Sequence, residues 1–204
     1  MTAYKYLILL LLITILSSCK TKSKNFRYAD KPDIIECNVR NYPLLKEAFY
    51  SFENDLFTYT RDSLNIDRAS AYNRWVYPSH ANTFQIKTLV SPYTIEIFER
   101  LKSEEPQLFD VNNKESNLNY NSELITCIAA NMTSGDLKTT FNALISTNTM
   151  SPKLFGDALI FNLLRVTNDP YMRFYVVFEY GYGHMFFTDF SDITNAEMTN
   201  ADKR

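Results

Sequence analysis

The residues most capable of chemistry lie close together near the C-terminal end of the chain. Glu179, Tyr180, Tyr182 and His184 are near neighbours, and Asp189 follows shortly after them. A carboxylate beside an imidazole can perform general acid–base catalysis, whereas tyrosine rings can stack on sugars or hold an extended peptide. Core packing of these rings, with the intervening glycines serving a turn, explains the same pattern and is favoured. Ligand binding by the first four residues is the leading functional hypothesis, and hydrolysis by Glu179, His184 and Asp189 is less favoured.

A second group of residues typical of interfaces runs from Tyr72 to His80 and contains Trp75, the single tryptophan. Trp, Tyr and Arg are enriched in the energetic centres of protein interfaces. Core positions for Tyr72 and Trp75, with Pro78 ending a helix, are nevertheless the favoured interpretation.

The composition excludes several classes of function. The 21 Lys and Arg residues face 23 Asp and Glu residues, so there is no basic surplus for nucleic acid. The chain has two histidines, His80 and His184, and no metal-ligand, nucleophile-elbow or phosphate-loop motif. We therefore predict no metal, no cofactor and no nucleic-acid partner.

The N-terminal residues have the pattern of an export signal. Lys5 precedes an apolar run from Tyr6 to Leu16, which is too short for the roughly 20 residues of a membrane-spanning helix. The string Leu16-Ser17-Ser18-Cys19 follows, and it resembles a bacterial lipobox. The resemblance implies that residues 1–18 are removed and that Cys19 carries the lipid anchor. An ordinary cleaved secretion signal and an uncleaved anchor are the alternatives.

The sequence predicts four segments. The signal peptide 1–18 is followed by a lipidated terminus and polar tether at 19–32, a single globular domain at 33–190, and a polar, frayed tail at 191–204. Neither an Asp after the lipidated Cys nor an acidic cluster follows. By resemblance to other lipoproteins, this favours the periplasmic face of the outer membrane in the bacterial cell envelope.

Two cysteines remain in the mature chain, Cys37 and Cys127. The exported compartment is oxidising, so a disulfide between them is one interpretation. Two buried free thiols are the other, because Cys127 lies in a run of core-like residues.

Several helix starts are marked by capping residues. Asn41-Tyr42-Pro43 precedes an apolar stripe from Leu45 to Tyr59, which is typical of a helix packed on a core. Further starts are predicted at Ser91-Pro92, at Asn121 or Ser122, and at Ser151-Pro152. Thr133 and Asp136 have the spacing of a capping box. Another short helix is predicted from Arg68 to Val76. The stretch from Asp110 to Asn121 is predicted to be a surface loop.

The C-terminal segment has a pattern that fits either a β-hairpin or a helix. Apolar residues alternate from Met172 to Tyr180, which favours a β-hairpin over residues 171–190. A buried helix capped by Asp169-Pro170 is the alternative. Residues 35–39 and 84–88 are candidate partner strands. The predicted fold is therefore mainly α, with five to six short helices packed as hairpins and a C-terminal β-hairpin, or α+β with a small antiparallel sheet.

These observations favour a non-enzymatic envelope lipoprotein that works through contacts with an envelope protein partner at a membrane surface. A lipid anchor raises the local concentration of such a protein near its neighbours. A lipoprotein that binds a glycan or peptide is the alternative, and a small hydrolase is the third hypothesis.

Overall fold

The fold is known from a computed structural model that describes residues 26–61, 66–113, 116–133 and 135–193. The predicted signal peptide, the lipobox and Cys19 lie outside the described residues. So does the predicted tail beyond residue 193.

The described residues are mainly helical and contain no β-strand, only an isolated bridge between Phe109 and Leu118. The helices, in chain order, are α1 (Tyr42–Thr60), α2 (Arg68–His80), α3 (Pro92–Glu104), α4 (Glu123–Asn131), α5 (Gly135–Ser146), α6 (Pro152–Phe161), α7 (Leu163–Asn168) and α8 (Pro170–Val176). A π-helical segment (Val177–Tyr182) and α9 (Gly183–Met185) continue α8 without a break. The predicted mainly-α class is therefore correct.

Three predicted helix starts are confirmed by their caps. The hydroxyl oxygens of Ser91, Ser122 and Ser151 accept hydrogen bonds from backbone N–H groups three residues further on. Proline occupies the first helical position after Ser91 and after Ser151, where its missing N–H costs nothing. The capping-box prediction differs from the structure, because the Thr133 hydroxyl donates to Asp169.

The predicted C-terminal hairpin is wrong, and the helical alternative is correct. Asp169 accepts hydrogen bonds from the N–H groups of Tyr171 and Met172, and Pro170 stands at the first helical position. The residues that intervene in the alternating pattern are buried as well, apart from the half-buried Arg173, so Tyr175 and Val177 are as inaccessible as Phe174. The alternating apolar residues are every second residue of a helix. The pattern suggests a strand only where the residues between them face solvent, and here most of those residues are also buried.

The candidate strands are wrong as well. Residues 35–39 form no regular element, and residues 86–88 form a 3₁₀ turn. The predicted surface loop at 110–121 is partly internal, because Ser116, Asn117 and Leu118 are buried.

Helix α2 runs further than its prediction. It continues through Pro78 to His80, and the backbone then turns at Asn82, whose φ of 53° is left-handed. The carbonyl of Pro78 accepts from Thr83 N and Phe84 N at 2.9 and 3.2 Å, which closes the turn. The extension carries Ser79 and His80 to the edge of a cavity described below.

Residues 26–32, which belong to the predicted tether, contact helices α1 and α3. The N–H groups of Arg27 and Tyr28 donate to the buried Glu47 carboxylate on α1, at 2.7 and 2.9 Å. The Arg100 guanidinium lies 4.6 Å from the centre of the Phe26 ring.

The core is built around α1 and the continuous helix from Pro170 to Met185. Aromatic rings spaced four residues apart on that helix form a contiguous series, with 4.9 Å between the Phe174 and Phe178 centroids and 5.4 Å between those of Phe178 and Tyr182. Phe49 of α1 stacks on Phe174 at 5.1 Å. The stripe on α1 is therefore core from Leu45 to Leu56, as the sequence favoured, whereas Tyr59 at its end is 46% exposed.

Cys37 and Cys127 form a disulfide in the structure, with their Cα atoms 5.9 Å apart. The bond ties the segment that precedes α1 to α4. It encloses a loop with a sequence separation of 90 residues, which restricts the unfolded chain strongly.

Replacing either cysteine with serine is expected to lower the free energy of unfolding by about 2–4 kcal/mol, because the unfolded chain regains the entropy of an open loop. Urea denaturation of Cys37→Ser, Cys127→Ser and the double variant measures this. The double variant should be no less stable than either single one, and reduction of the wild type should reproduce the loss. Equal stability of the oxidised and reduced wild type would contradict the expectation.

Candidate functional site

An open cleft of about 780 Å³ lies on the surface of the described residues. We call it the outer cleft. It lies between the turn after α2, the buried part of the loop before α4, and the C-terminal end of the long helix. Its lining combines three carboxamides, two carboxylates, a lysine, a histidine and two phenylalanines with smaller groups: Asn82, Phe84, Gln85, Ile86, Lys87, Ser116, Asn117, Glu179, Gly183, His184, Phe187, Thr188 and Asp189.

The π-helical segment explains why Glu179 and His184 share this cleft. Its i→i+5 hydrogen bonding brings residues five apart towards the same side of the helix. Glu179 lies within the segment and His184 just beyond it, and both line the outer cleft. Single π-helical turns are frequent at functional sites in other proteins.

Glu179 is a buried carboxyl group with an unusual titration. Burial raises its pKa to about 7, although hydrogen bonds from Ser116 and Tyr120 partly offset that effect. The Tyr120 hydroxyl donates to the Glu179 carboxylate at 3.0 Å. Near neutral pH this group therefore exchanges between a proton donor and an anion at the base of the cleft.

His184 is a largely buried imidazole whose pKa is lowered by desolvation. It is therefore neutral near pH 7 and presents one donor and one acceptor nitrogen. Its ring centre lies 5.8 Å from that of Tyr180.

The two tyrosines of the predicted binding group lie elsewhere. Tyr182 is fully buried between Phe52 and Phe98, and its hydroxyl donates to the Ala48 carbonyl oxygen at 2.9 Å. It is a core residue, which corrects the prediction that it contacts a ligand. Tyr180 is also buried, but it borders a second cavity rather than the outer cleft.

The three residues of the hydrolase hypothesis share the cleft without forming a relay. Asp189 is exposed and accepts from the Ser191 N–H at 2.9 Å, while Glu179 is bonded to Tyr120. Among the described residues no hydrogen bond joins His184 to either carboxylate. The arrangement offers a polar lining rather than an activated nucleophile and base.

A smaller cavity of about 260 Å³ adjoins the outer cleft, and we call it the inner chamber. Its lining consists of Ser79, His80, Asn82, Pro152, Lys153, Tyr180 and His184. It shares Asn82 and His184 with the outer cleft, so those two residues stand at the junction.

Sequence reasoning missed much of this lining. Asn82, Lys87 and Asn117 reach the cleft from separate parts of the chain, and no local pattern marks them. Trp75 and Tyr72 are buried in the core as favoured, whereas His80, from the same group, borders the inner chamber.

No cluster of three or more His, Cys, Asp or Glu side chains in the described parts of the chain could hold a metal ion. Within those same parts, every helix is too short or too polar to cross a membrane.

Comparison of the sequence with protein-family models gave no match, and neither did comparison with curated proteins or with solved structures. The function is therefore inferred from the geometry of the two cavities and the surface.

Glu179→Gln is expected to change how stability depends on pH. The folded pKa of about 7 lies above the ordinary 4.5, so the folded state keeps a proton that the unfolded chain loses between these values. The contribution of Glu179 to the free energy of unfolding is therefore greatest below pH 4.5 and is lost as the pH rises through 7. The neutral variant should thus be more stable than the wild type at pH 8, by up to about 3 kcal/mol, and similar near pH 4.5.

Urea unfolding of both proteins across pH 4.5–8 measures the difference. Glu96→Gln, which replaces an exposed glutamate on α3, is the matched control and should show no such trend. A difference between wild type and Glu179→Gln that stays constant with pH would contradict the assigned titration.

Proposed function

We propose that this chain is a lipid-anchored binding protein of the bacterial cell envelope, without catalytic activity, whose outer cleft holds a polar ligand such as a glycan or a peptide segment. The observation that carries the proposal is the cleft itself. It brings carboxamides, carboxylates, a lysine and two aromatic rings, the exposed Phe187 and the half-buried Phe84, together from three separate parts of the chain. Ligand sites in general combine a concavity, apolar contact and a few convergent polar groups.

The chemistry of the lining suits a ligand rich in hydroxyl or amide groups. Asn82, Gln85 and Asn117 each offer both donor and acceptor atoms in one side chain. Phe187 is 78% exposed and lines the same cleft, so its ring can receive the apolar face of a ligand at little structural cost. The resemblance to a lipobox supports the location at a membrane surface. The lack of an Asp after Cys19 and of an acidic cluster favours the outer membrane, facing the periplasm.

Phe187→Ala is expected to weaken binding about tenfold, since aromatic groups at the centre of a contact carry a large share of the binding free energy. Glycan and peptide arrays probed with the full-length protein in detergent identify the ligand, and calorimetry then measures its affinity. The matched control is Phe161→Ala, because Phe161 is 90% exposed and lies away from the cleft.

Equal loss of affinity in both variants would contradict binding in the cleft. Failure of every glycan and peptide to bind the wild type would remove the basis of the ligand proposal.

A protein partner is the second candidate function, and a specific surface favours it. Leu154, Phe161 and Leu164 are 58%, 90% and 67% exposed, and we call them the apolar ridge. Leu154 and Phe161 are seven residues apart on α6 and share one face of it, while Leu164 follows on α7. Apolar side chains grouped on a surface are typical of protein contacts.

A photo-crosslinking residue at position 161 is expected to capture a discrete envelope protein in living cells. Leu154→Asp should abolish that crosslink, because a charge would have to be buried in the contact, and Cys19→Ala should abolish it by releasing the anchor. The same residue placed at position 187 is the control. Identical crosslinks from both positions, or none from position 161, would contradict a partner on the ridge.

A further inference from the structure

A second open cleft lies between the loop before α4 and the turn that precedes α6. Its volume is about 570 Å³, and we call it the asparagine cleft because five asparagines line it: Asn112, Asn113, Asn119, Asn121 and Asn148. Three of them, Asn112, Asn121 and Asn148, are exposed. A carboxamide both donates and accepts hydrogen bonds, so this lining suits a ligand that carries many groups of both kinds.

Local backbone geometry holds the two walls of the asparagine cleft in place. In the loop before α4, the Asp110 N–H donates to the Asn117 carbonyl oxygen at 2.8 Å, and the Asn119 N–H donates to that of Leu108 at 2.9 Å. In the turn before α6, Asn148 adopts a left-handed φ of 53°. The exposed carboxamides therefore belong to backbone that is already ordered, which lowers the entropic cost of binding a ligand.

Lys153 joins the asparagine cleft to the two cavities described above. It lines both the asparagine cleft and the inner chamber, and the inner chamber shares Asn82 and His184 with the outer cleft. Lys153 and Asn82 are exposed, so a ligand can contact both. The three cavities therefore adjoin in series, with the inner chamber between the two open clefts.

The volumes of the cavities indicate a ligand longer than one small molecule. Clefts of about 300–1,000 Å³ bury most of a drug-sized ligand. The outer cleft, of about 780 Å³, and the asparagine cleft, of about 570 Å³, each fall within that range. The inner chamber adds about 260 Å³ between them. A ligand that occupies the whole series is therefore an oligomer or polymer of small units.

The common ways of binding an extended peptide need features that this part of the molecule lacks. Strand addition needs a sheet edge, and the described residues contain no β-strand. Phosphorylated segments need clustered arginines, and no arginine of the described residues lines the three cavities. Proline-rich segments need a groove lined by aromatic rings, and the asparagine cleft has the buried Tyr120 as its single aromatic residue. A glycan is therefore favoured over a peptide.

The charged groups along the three cavities leave no strong excess of either sign. Lys87 and Lys153 face Asp110 and Asp189, and the pKa of about 7 makes Glu179 only partly ionised near neutral pH. Eight carboxamides accompany them, three in the outer cleft and five in the asparagine cleft. This lining matches the hydroxyl and acetamido groups of an uncharged glycan, each of which pairs with a carboxamide.

We propose that the three cavities together bind one uncharged glycan chain of several sugars. One sugar lies against Phe187 in the outer cleft, and others contact Asn121 and Asn148 in the asparagine cleft. Asn82 and Lys153 contact the sugars between them. The inference rests on the proposed function and narrows it, because it replaces a glycan or peptide ligand with an extended glycan.

The test measures how affinity depends on the length of the glycan. Chitin and cellulose oligosaccharides, from the disaccharide to the hexasaccharide, are titrated into the full-length protein in an uncharged detergent and followed by calorimetry. The two series share one linkage and differ in the acetamido group. The hexasaccharide of at least one series should bind at least about tenfold more tightly than its disaccharide, because contacts in the asparagine cleft add to those in the outer cleft.

A double variant connects this length dependence to the asparagine cleft. Asn112→Ala with Asn121→Ala should weaken hexasaccharide binding about tenfold and leave disaccharide binding in the outer cleft unchanged, whereas Phe187→Ala should weaken both. The matched control is Asn73→Ala with Asn168→Ala. These two asparagines are also exposed but line none of the three cavities, so the control should bind both sugars as the wild type does.

Equal affinity for the disaccharide and the hexasaccharide would overturn this inference and leave the outer cleft as a site for a small ligand. An unchanged length dependence in the Asn112 and Asn121 double variant would overturn it as well, and so would failure of both series to bind. The proposed function fails only if the arrays, which include peptides, give no ligand, so the two failures are distinguishable.

Discussion

The structure depends on burying one helix on every side. Each residue from Phe174 to Gly183 is buried, so this segment has no polar face and must be enclosed by other helices. Helix α1 covers it through Phe49 and Phe52, and α3 contributes Phe98. Enclosing a helix so completely in a chain of 204 residues leaves the other elements to form a shell around it.

The same helix forms the base of the candidate site, and its glycines allow it to pack closely against α1. Sequence reasoning assigned Gly181 and Gly183 to a turn, but both have helical backbone conformations. Gly181 is needed for contact, since a Cβ atom there would lie 2.7 Å from the Phe52 ring. The close approach holds the helix against α1, while its opposite side carries Glu179 and His184 to the outer cleft.

Features that depend on a few neighbouring residues, such as helix caps, could be predicted from the sequence. Features that depend on contacts between distant parts of the chain could not. Ser91 and Ser151 were identified as caps, and Ser122 was one of two candidates with Asn121, because a cap is defined within a few residues. The alternation from Met172 to Tyr180 was misleading, because the burial of Tyr175 and Val177 is decided by helices elsewhere in the chain. Glu179 and His184 were found because their residue types are chemically distinctive. Asn117 and Lys87 were not, since only the tertiary fold brings them to the cleft.

Several polar side-chain atoms in the described interior are buried without a hydrogen-bond partner. The Trp75 Nε1–H is buried without a partner in the described structure, as Ser79 and Tyr180 are. Trp75, however, packs between aromatic rings, with 4.6 Å separating its centroid from that of Phe52. No molecule from solvent can reach a donor in such packing, so its cost is purely structural. The Ser79 and Tyr180 hydroxyls are equally inaccessible to solvent, although both residues border the inner chamber. Their cost is therefore borne by the folded protein in the same way, and these buried donors are offset by the packing of the aromatic rings around them.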